Sequence, residues 1–393
     1  MGTIHVSSWK GREAIRLSNG VAEMVVLAGG GHLASFRLLE VSAAQAVNGL
    51  WESGWATVDP NAEEELPPIY GTEDVRRFLA SYTGHALCLD YFGDASPEQR
   101  AAGLSLHGEA AICRWKLKEQ EQGLTARAVW EVSLPIAGLQ LEREIRLENG
   151  QSIAYLRETV VNTRKTPHSF DWVQHVTLGP PLLAYGESTL RVSAGRGMTA
   201  PAGYDDCSMV QSGQEFDWPY APGFGNTRPV DLREPFATEG KGLIAGLQMD
   251  PGSEVEYLIA VNWNLRAGIG YLFRRRDFPW ITVWEENRAR KDPPWNGTTR
   301  ARGMEFGTLP LPRGCGEVLR DRRFHDTPQE RTLAGGARKT AQYAAFLFQV
   351  PDGVSSIEQA EPTKDAVMLR DKNGYEVVSL PARGCEEHLM QEE

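Results

Sequence analysis

The chain has 393 residues, a formal charge of −11, 41% hydrophobic and 24% charged residues, the balance of a folded protein with a substantial core. The excess of acid over base argues against a surface built on clustered Lys and Arg, so neither nucleic acid nor an anionic membrane is expected as a partner. Cys88, Cys113, Cys207, Cys315 and Cys385 lie far apart with no C-x-x-C pair, which points to reduced thiols and away from a zinc knuckle or disulfide framework.

The N-terminal residues lack a basic segment followed by an apolar one, and no later run approaches a membrane span, so a cytoplasmic location is expected. Arg12 to Leu17 and Val21 to Leu27 flank Ser18-Asn19-Gly20 and predict a hairpin. Gly29-Gly30-Gly31 then leads into a strand over His32 to Leu39, the glycines implying a bulge or a close backbone approach. Asp59 to Pro68, with its consecutive glutamates, is expected to be a solvated loop. Gly84 to Asp90, which contains His85, predicts a strand and Ser96 to Ala102 a short helix.

Alternation then persists through Leu104 to Trp115, Leu124 to Leu134, Leu139 to Leu147, Ile153 to Asn162 and Ser169 to Leu178, the pattern of an antiparallel meander. Residues from about 194 to 238 are rich in Gly, Pro and Asp and predict a long crossing loop. Further strands are predicted at 242–248, 254–262, 267–273, 280–284, 302–309 and 340–350, with a last hairpin from 366 to 380. No amphipathic helix of normal length is expected. The whole predicts an all-β chain, a single domain over 1–393 with a sandwich core from about 12 to 350 and a C-terminal hairpin extension over about 364–382.

Asp171 to Pro181 places a histidine inside a strand-like run. Alternation sends Asp171, Val173, His175 and Thr177 to one face and Trp172, Gln174 and Val176 to the other. His175 can hold or give up a proton near neutral pH, and Asp171 is expected to favour its charged form. Glu305, between Met304 and Phe306 and bounded by glycines, is a carboxylate in an apolar strand, expensive to bury without a task; desolvation would raise its pKa and make it a usable general base. His107 and Glu109, two apart in the strand predicted over 104–115, share a face and suit a hydroxyl-binding pair or half of a metal site. Glu285 and Glu286 lead into a Pro-rich loop, as exposed charges or ligand contacts. Among 11 tryptophans, Trp51, Trp55, Trp172, Trp284 and Trp295 lie near strand ends, where flat rings stack on sugar faces. The basic run Arg274-Arg275-Arg276-Asp277 reads most simply as a solvated hairpin tip, with recognition of a sugar acid or phosphate as the alternative. The chain has no P-loop, G-x-S-x-G, G-x-G-x-x-G or H-E-x-x-H motif.

Taken in order, the Gly-Gly-His-Leu-Ala-Ser-Phe strand, Asn48-Gly-Leu-Trp51, Leu106-His-Gly108, the His175 segment and Gly303-Met-Glu-Phe-Gly307 resemble the aldose 1-epimerase, or galactose mutarotase-like, superfamily over roughly residues 12 to 350. The resemblance implies a large antiparallel β-supersandwich with a sugar cleft on one sheet. It also implies His175 as general acid, Glu305 as general base and His107 as a substrate contact, with no cofactor and no metal. His85, Glu109, Trp172, Gln174, Trp284 and Glu285 complete the expected set of substrate-binding residues. Family mutarotases tend to have Tyr-Phe-Asn-Leu after the acid histidine and Leu-Glu-Thr-Gln around the base; this chain has Val-Thr-Leu-Gly and Phe-Gly-Thr, a divergent branch. The expected partner is a small sugar or sugar derivative. Two other readings fit the same residues: a metal-dependent isomerase or lyase of sugar acids that uses His107, Glu109 and His175 as ligands, and a carbohydrate-binding protein without catalysis.

Overall fold

Strand alternation with turn residues between runs produces, in the computed structural model, two large antiparallel sheets; residues 1–39, 41–62, 65–201, 203–312, 323–324, 327–329 and 331–391 are described. Cys315, Glu63 and Glu64 lie outside the described residues, and the other four cysteines are free. An eleven-stranded sheet runs in the order Thr3–Trp9, Arg12–Ser18, Ala22–Leu27, Leu33–Leu38, His85–Cys88, Val173–Leu178, Arg300–Gly307, Trp280–Asn287, Lys241–Met249, Ala194–Thr199 and Glu215–Asp217. An eight-stranded sheet runs Ser188–Val192, Val255–Asn262, Ala267–Arg274, Arg338–Gln349, Ile153–Asn162, Leu139–Glu148, Thr125–Leu134 and Lys116–Glu121. Their facing sides bury one continuous apolar core that includes Phe36, Leu87, Trp130, Leu156, Ile269, Phe306 and Leu347. No helix of the described residues is long and apolar enough to cross a membrane.

Most expected strands form within a residue or two of the predicted bounds, and the helix over Pro97–Ala101 is capped by Ser96 and Gln99 in a reciprocal box. Gly31 adopts φ +61°, and a Cβ there would come within 2.3 Å of the Trp115 ring, so the glycine run does permit a close approach. Four expected elements are corrected. Residues 104–115 form turns rather than a strand: His107 has φ +66°, and the segment is held by His32, whose ring contacts the carbonyls of Ala111 at 2.9 Å and Thr83 at 3.3 Å. The run over 169–178 breaks at Asp171, with His168–Phe170 pairing elsewhere. The stretch 194–238 is not one loop but contributes the last two strands of the large sheet and a small two-stranded ladder. A nine-residue helix, Glu73–Ser81, also forms, its apolar residues Val75, Phe78 and Leu79 continuing to Tyr82 at helical spacing.

The C-terminal segment forms a three-stranded sheet, Gln359–Pro362, Ala366–Arg370 and Glu376–Pro381, followed by the helix Cys385–Met390. It covers the outer side of the eight-stranded sheet through a second apolar cluster that includes Tyr155, Val261, Phe346, Val367, Leu380 and Leu389. At 274–277 the expected solvated tip holds instead a buried ion pair, Arg274 Nε to Asp277 Oδ2 at 2.7 Å.

Candidate functional site

The strand Val173–Leu178 lies near the middle of the large sheet, between His85–Cys88 and Arg300–Gly307. Register with the latter pairs Gln174 with Phe306 and Thr177 with Gly303, which sets His175 and Glu305 abreast on the same face. Their side chains meet there, with His175 Nε2 3.2 Å from Glu305 Oε1. This is the sheet face turned away from the core. The helix Glu73–Ser81 and loops roof it, enclosing a cavity of about 460 Å³ lined by Phe78, Tyr82, Phe92, His107, His175, Trp284, Arg290, Trp295 and Glu305, among others.

Each charge in the pair is opposed by burial. His175 is 5% exposed and Glu305 1% exposed. Desolvation pulls the His175 pKa down to about 3 and pushes that of Glu305 well above the usual carboxylate range. The expectation that Asp171 would hold His175 charged is therefore corrected; the neighbouring carboxyl is Glu305, itself driven toward the neutral acid, and the Asp171 carboxylate accepts from the Phe92 amide at 3.2 Å. Both shifts leave the resting pair neutral, with the proton on Glu305 and a neutral imidazole beside it, and Glu305 Oε1 has no aligned hydrogen bond. Such a pair can give a proton to one ligand atom and take one from another.

On its far side His175 Nδ1 lies 3.2 Å from both the Tyr82 hydroxyl and Thr177 Oγ1, and those two hydroxyls bond each other. The ring is thus oriented by groups that leave Nε2 facing Glu305. His107 Nδ1 accepts from the Gly93 amide at 3.0 Å, which puts the proton of the neutral ring on Nε2; burial holds its pKa well below the ordinary histidine value. Its ring packs 5.1 Å from that of His175 and stacks on Phe92 at 5.2 Å.

Gly303 is needed for this geometry. A Cβ at that position would fall 2.1 Å from Glu305 Oε1, because residues two apart in a strand share a face and the carboxyl folds back over the missing side chain. Gly303→Ala is expected to displace the carboxyl and to cost at least about tenfold of any activity that depends on the His175–Glu305 pair, with the circular dichroism spectrum retained; activity within twofold of wild type would show that the carboxyl tolerates the shift.

His107, His175, Trp284 and Glu305 are brought together, and Trp295 joins them. The other expected residues lie elsewhere. Trp172 and Gln174 occupy the opposite strand face, as alternation required, and there donate to Glu158 Oε2 at 2.9 and 2.7 Å. His85 points the same way, its Nε2 2.9 Å from Gln174 Oε1. Glu109, freed from the strand geometry expected of it, accepts from the amides of Ile136 and Ala137 at 3.2 and 2.8 Å. Glu285 and Glu286 are fully buried rather than exposed, because the strand runs on to Asn287. Glu285 faces the core, where its Oε2 accepts from Arg302 at 2.5 Å. Glu286 braces the cavity wall, accepting from the Tyr204 hydroxyl at 3.0 Å. No group of three His, Cys, Asp or Glu among the described residues is set to hold a metal ion.

Tyr82, Phe78, Phe92 and Arg290 were not singled out from the sequence. The spacing of Val75, Phe78, Leu79 and Tyr82 at i, i+3, i+4 and i+7 is the signal that finds the first two; Phe92 and Arg290 sit on loops with no periodicity to mark them.

Five buried histidines make the fold sensitive to acid. Burial lowers His32 and His388 to about 4 and His175 to about 3, and holds His85 and His107 well below the ordinary histidine value. The unfolded chain takes up these protons below its ordinary value of about 6.5, whereas the folded chain resists them until far lower. Stability from these groups is therefore complete above pH ~6.5 and lost as pH falls toward 4, with a slope of up to about 1.4 kcal/mol per pH unit for each histidine. Thermal melts should show a falling midpoint from pH 6.5 to 5; a flat midpoint over that interval contradicts the burial of these rings.

This arrangement of sheets is that of the galactose mutarotase-like β-sandwiches, which defines the class of fold. No family model matches the sequence, and no curated protein matches it. Among solved structures the chain is similar to an inferred aldose 1-epimerase from Klebsiella pneumoniae, at 16% identity over 88% of this chain and 82% of that one, with a TM-score of 0.62. It is also similar to a galactose mutarotase-like protein from Clostridium acetobutylicum, at 9% identity over 88% and 98% of the two chains, TM-score 0.57. A third, a galactose mutarotase-like protein from Lactobacillus casei, is 15% identical over 85% and 100%, TM-score 0.54. At these identities the likeness is one of fold.

Proposed function

We propose that the protein interconverts the anomers of a sugar by general acid and base catalysis at His175 and Glu305. The observation that carries this reading is the pair itself: an imidazole and a carboxyl 3.2 Å apart, both desolvated, at the floor of an aromatic cavity. Opening a pyranose ring requires a proton to leave the anomeric hydroxyl and another to reach the ring oxygen. Those two oxygens are bonded to one carbon, so two proton-transfer groups side by side suit them.

When sugar oxygens replace water around the pair, the shared proton passes from Glu305 to His175. Glu305 then takes the anomeric proton while His175 delivers its own to the ring oxygen, and the C1–O5 bond breaks. Rotation about C1–C2 and the reverse transfers close the other anomer, leaving the pair as it began. His107, with its proton on Nε2, donates to a sugar oxygen, and Trp284 and Trp295 supply flat faces for the apolar side of the ring. The scheme draws on no cofactor or metal. Free thiols accord with the cytoplasm as the place where it acts.

Polarimetry or saturation-transfer NMR across a panel of aldoses and sugar acids tests the reading. Acceleration of anomer exchange for at least one sugar is expected. Binding of a sugar without acceleration of its exchange would leave a carbohydrate-binding protein.

A further inference from the structure

Arg290 is the one cationic side chain among the described residues that line the cavity. Its guanidinium carbon lies 5.0 Å from the ring centre of Tyr204, 5.0 Å from Trp295 and 5.7 Å from Trp284, three aromatic rings that hold the side chain through its faces. Stacking of this kind leaves the N–H edges of the planar fork free. The Arg290 side chain donates no hydrogen bond to any acceptor among the described residues, and 36% of it is exposed to the cavity and solvent. The nearest carboxylate, Glu286, stands 3.8 Å away. Its oxygens are already engaged by the Tyr204 hydroxyl and the amides of Ala289 and Arg290. Asp94, at the rim, is exposed, where water screens its charge.

The remaining titratable groups of the cavity among the described residues are Tyr82, His107, His175 and Glu305, all buried. Among the described residues the wall carries one fixed positive charge, whose fork makes no hydrogen bond and whose nearest counter-charge, Glu286, already accepts three others, so an anionic ligand can use it where a neutral one gains less. Trp284 touches both this charge and the reacting pair, its ring lying 6.2 Å from that of His175 and 5.7 Å from the Arg290 guanidinium carbon.

We propose that Arg290 binds an anionic oxygen group, a phosphate or a carboxylate, carried by the sugar away from its anomeric carbon, so that the substrates are sugar phosphates or sugar acids. The inference rests on the anomer-exchange reading for the word substrate, and on Arg290 alone for the anion. A guanidinium forms paired, charge-assisted hydrogen bonds to either group.

The test compares wild type with Arg290→Gln on two matched sets: glucose, glucose 6-phosphate and glucuronate, and the three galactose counterparts. Exchange is read as kcat/KM by NMR and binding by calorimetry. Wild type is expected to prefer at least one anionic member over its neutral parent by at least about tenfold, the discrimination of one charge-assisted contact, and Arg290→Gln to bring that ratio near one. Preference for the phosphate or for the uronate identifies which anion is read. Equal handling of neutral and anionic sugars, or a preference that survives Arg290→Gln, overturns the proposal. If no sugar is turned over, an Arg290-dependent preference in the dissociation constants upholds the anion site while the anomer-exchange reading falls; no preference in binding overturns both.

Discussion

Glu305→Gln is expected to lower the rate of anomer exchange by about 10²–10⁴-fold, the usual contribution of one general acid or base, while the protein melts no lower than wild type. The two halves of this expectation have one cause. Burial raises the Glu305 pKa well above its ordinary value, so the folded state holds the carboxyl as a neutral acid and an amide of the same shape replaces it without a new charge. The sign follows from the shift: a carboxyl with a raised folded pKa contributes stability below its unfolded value, and that contribution is lost as pH rises through the folded value. Gln does not ionise, so the variant should gain on wild type in alkaline melts. His175→Asn should lose a similar factor in rate. The activity of wild type should follow a bell in pH, its alkaline limb set by loss of the proton the pair shares and its acid limb by a second proton on His175. Full activity in Glu305→Gln would refute the acid–base assignment.

Glu158→Gln should destabilise the fold by about 3–5 kcal/mol, the loss expected when one partner of a buried ion pair is removed. The Glu158 carboxylate is fully buried between the sheets. It accepts from Arg143 Nε at 2.7 Å and the Tyr343 hydroxyl at 3.0 Å on one oxygen, and from Trp172 and Gln174 on the other. An amide presents two N–H donors to one of these pairs of donors and leaves the Arg143 guanidinium, 1% exposed, without its counter-charge. Because Gln174 precedes His175 on the strand, the same change should also lower activity in the fraction that folds. Urea unfolding measures it, with Glu361→Gln as control: that carboxylate pairs with Arg370 at the surface, where an ion pair contributes little. A loss below about 1 kcal/mol in Glu158→Gln would mean that the network is not held by its charge.

Much of the fold was legible because strand alternation and turn residues are local signals. The hairpin at Asn19-Gly20, the meander from Thr125 to Asn162 and the late strands all form as their patterns require. The same alternation separated His175 and Thr177 from Trp172 and Gln174. It did not say which face lay against the second sheet, because both faces are buried here, one by the core and one by the helix Glu73–Ser81 and its flanking loops. For that reason Trp172, Gln174, His85 and Glu285 read as ligand contacts until the sheet packing placed them inside. The segment 104–115 failed for a different reason: its apolar residues face buried surroundings, but the backbone is turned by tertiary contacts, with His107 at positive φ, and no local pattern encodes that.

The sequence by itself determined that the chain is a β-sandwich, that His175 stands on a strand and that Glu305 is a carboxyl in an apolar one, since each of these depends on neighbours within a few residues. Only the tertiary structure decided that the two meet, that both are pushed toward their neutral forms, and that Tyr82 and Arg290 share their cavity. Those facts depend on register between strands that lie far apart in the chain and on which groups lose water when the sheets and loops close over them.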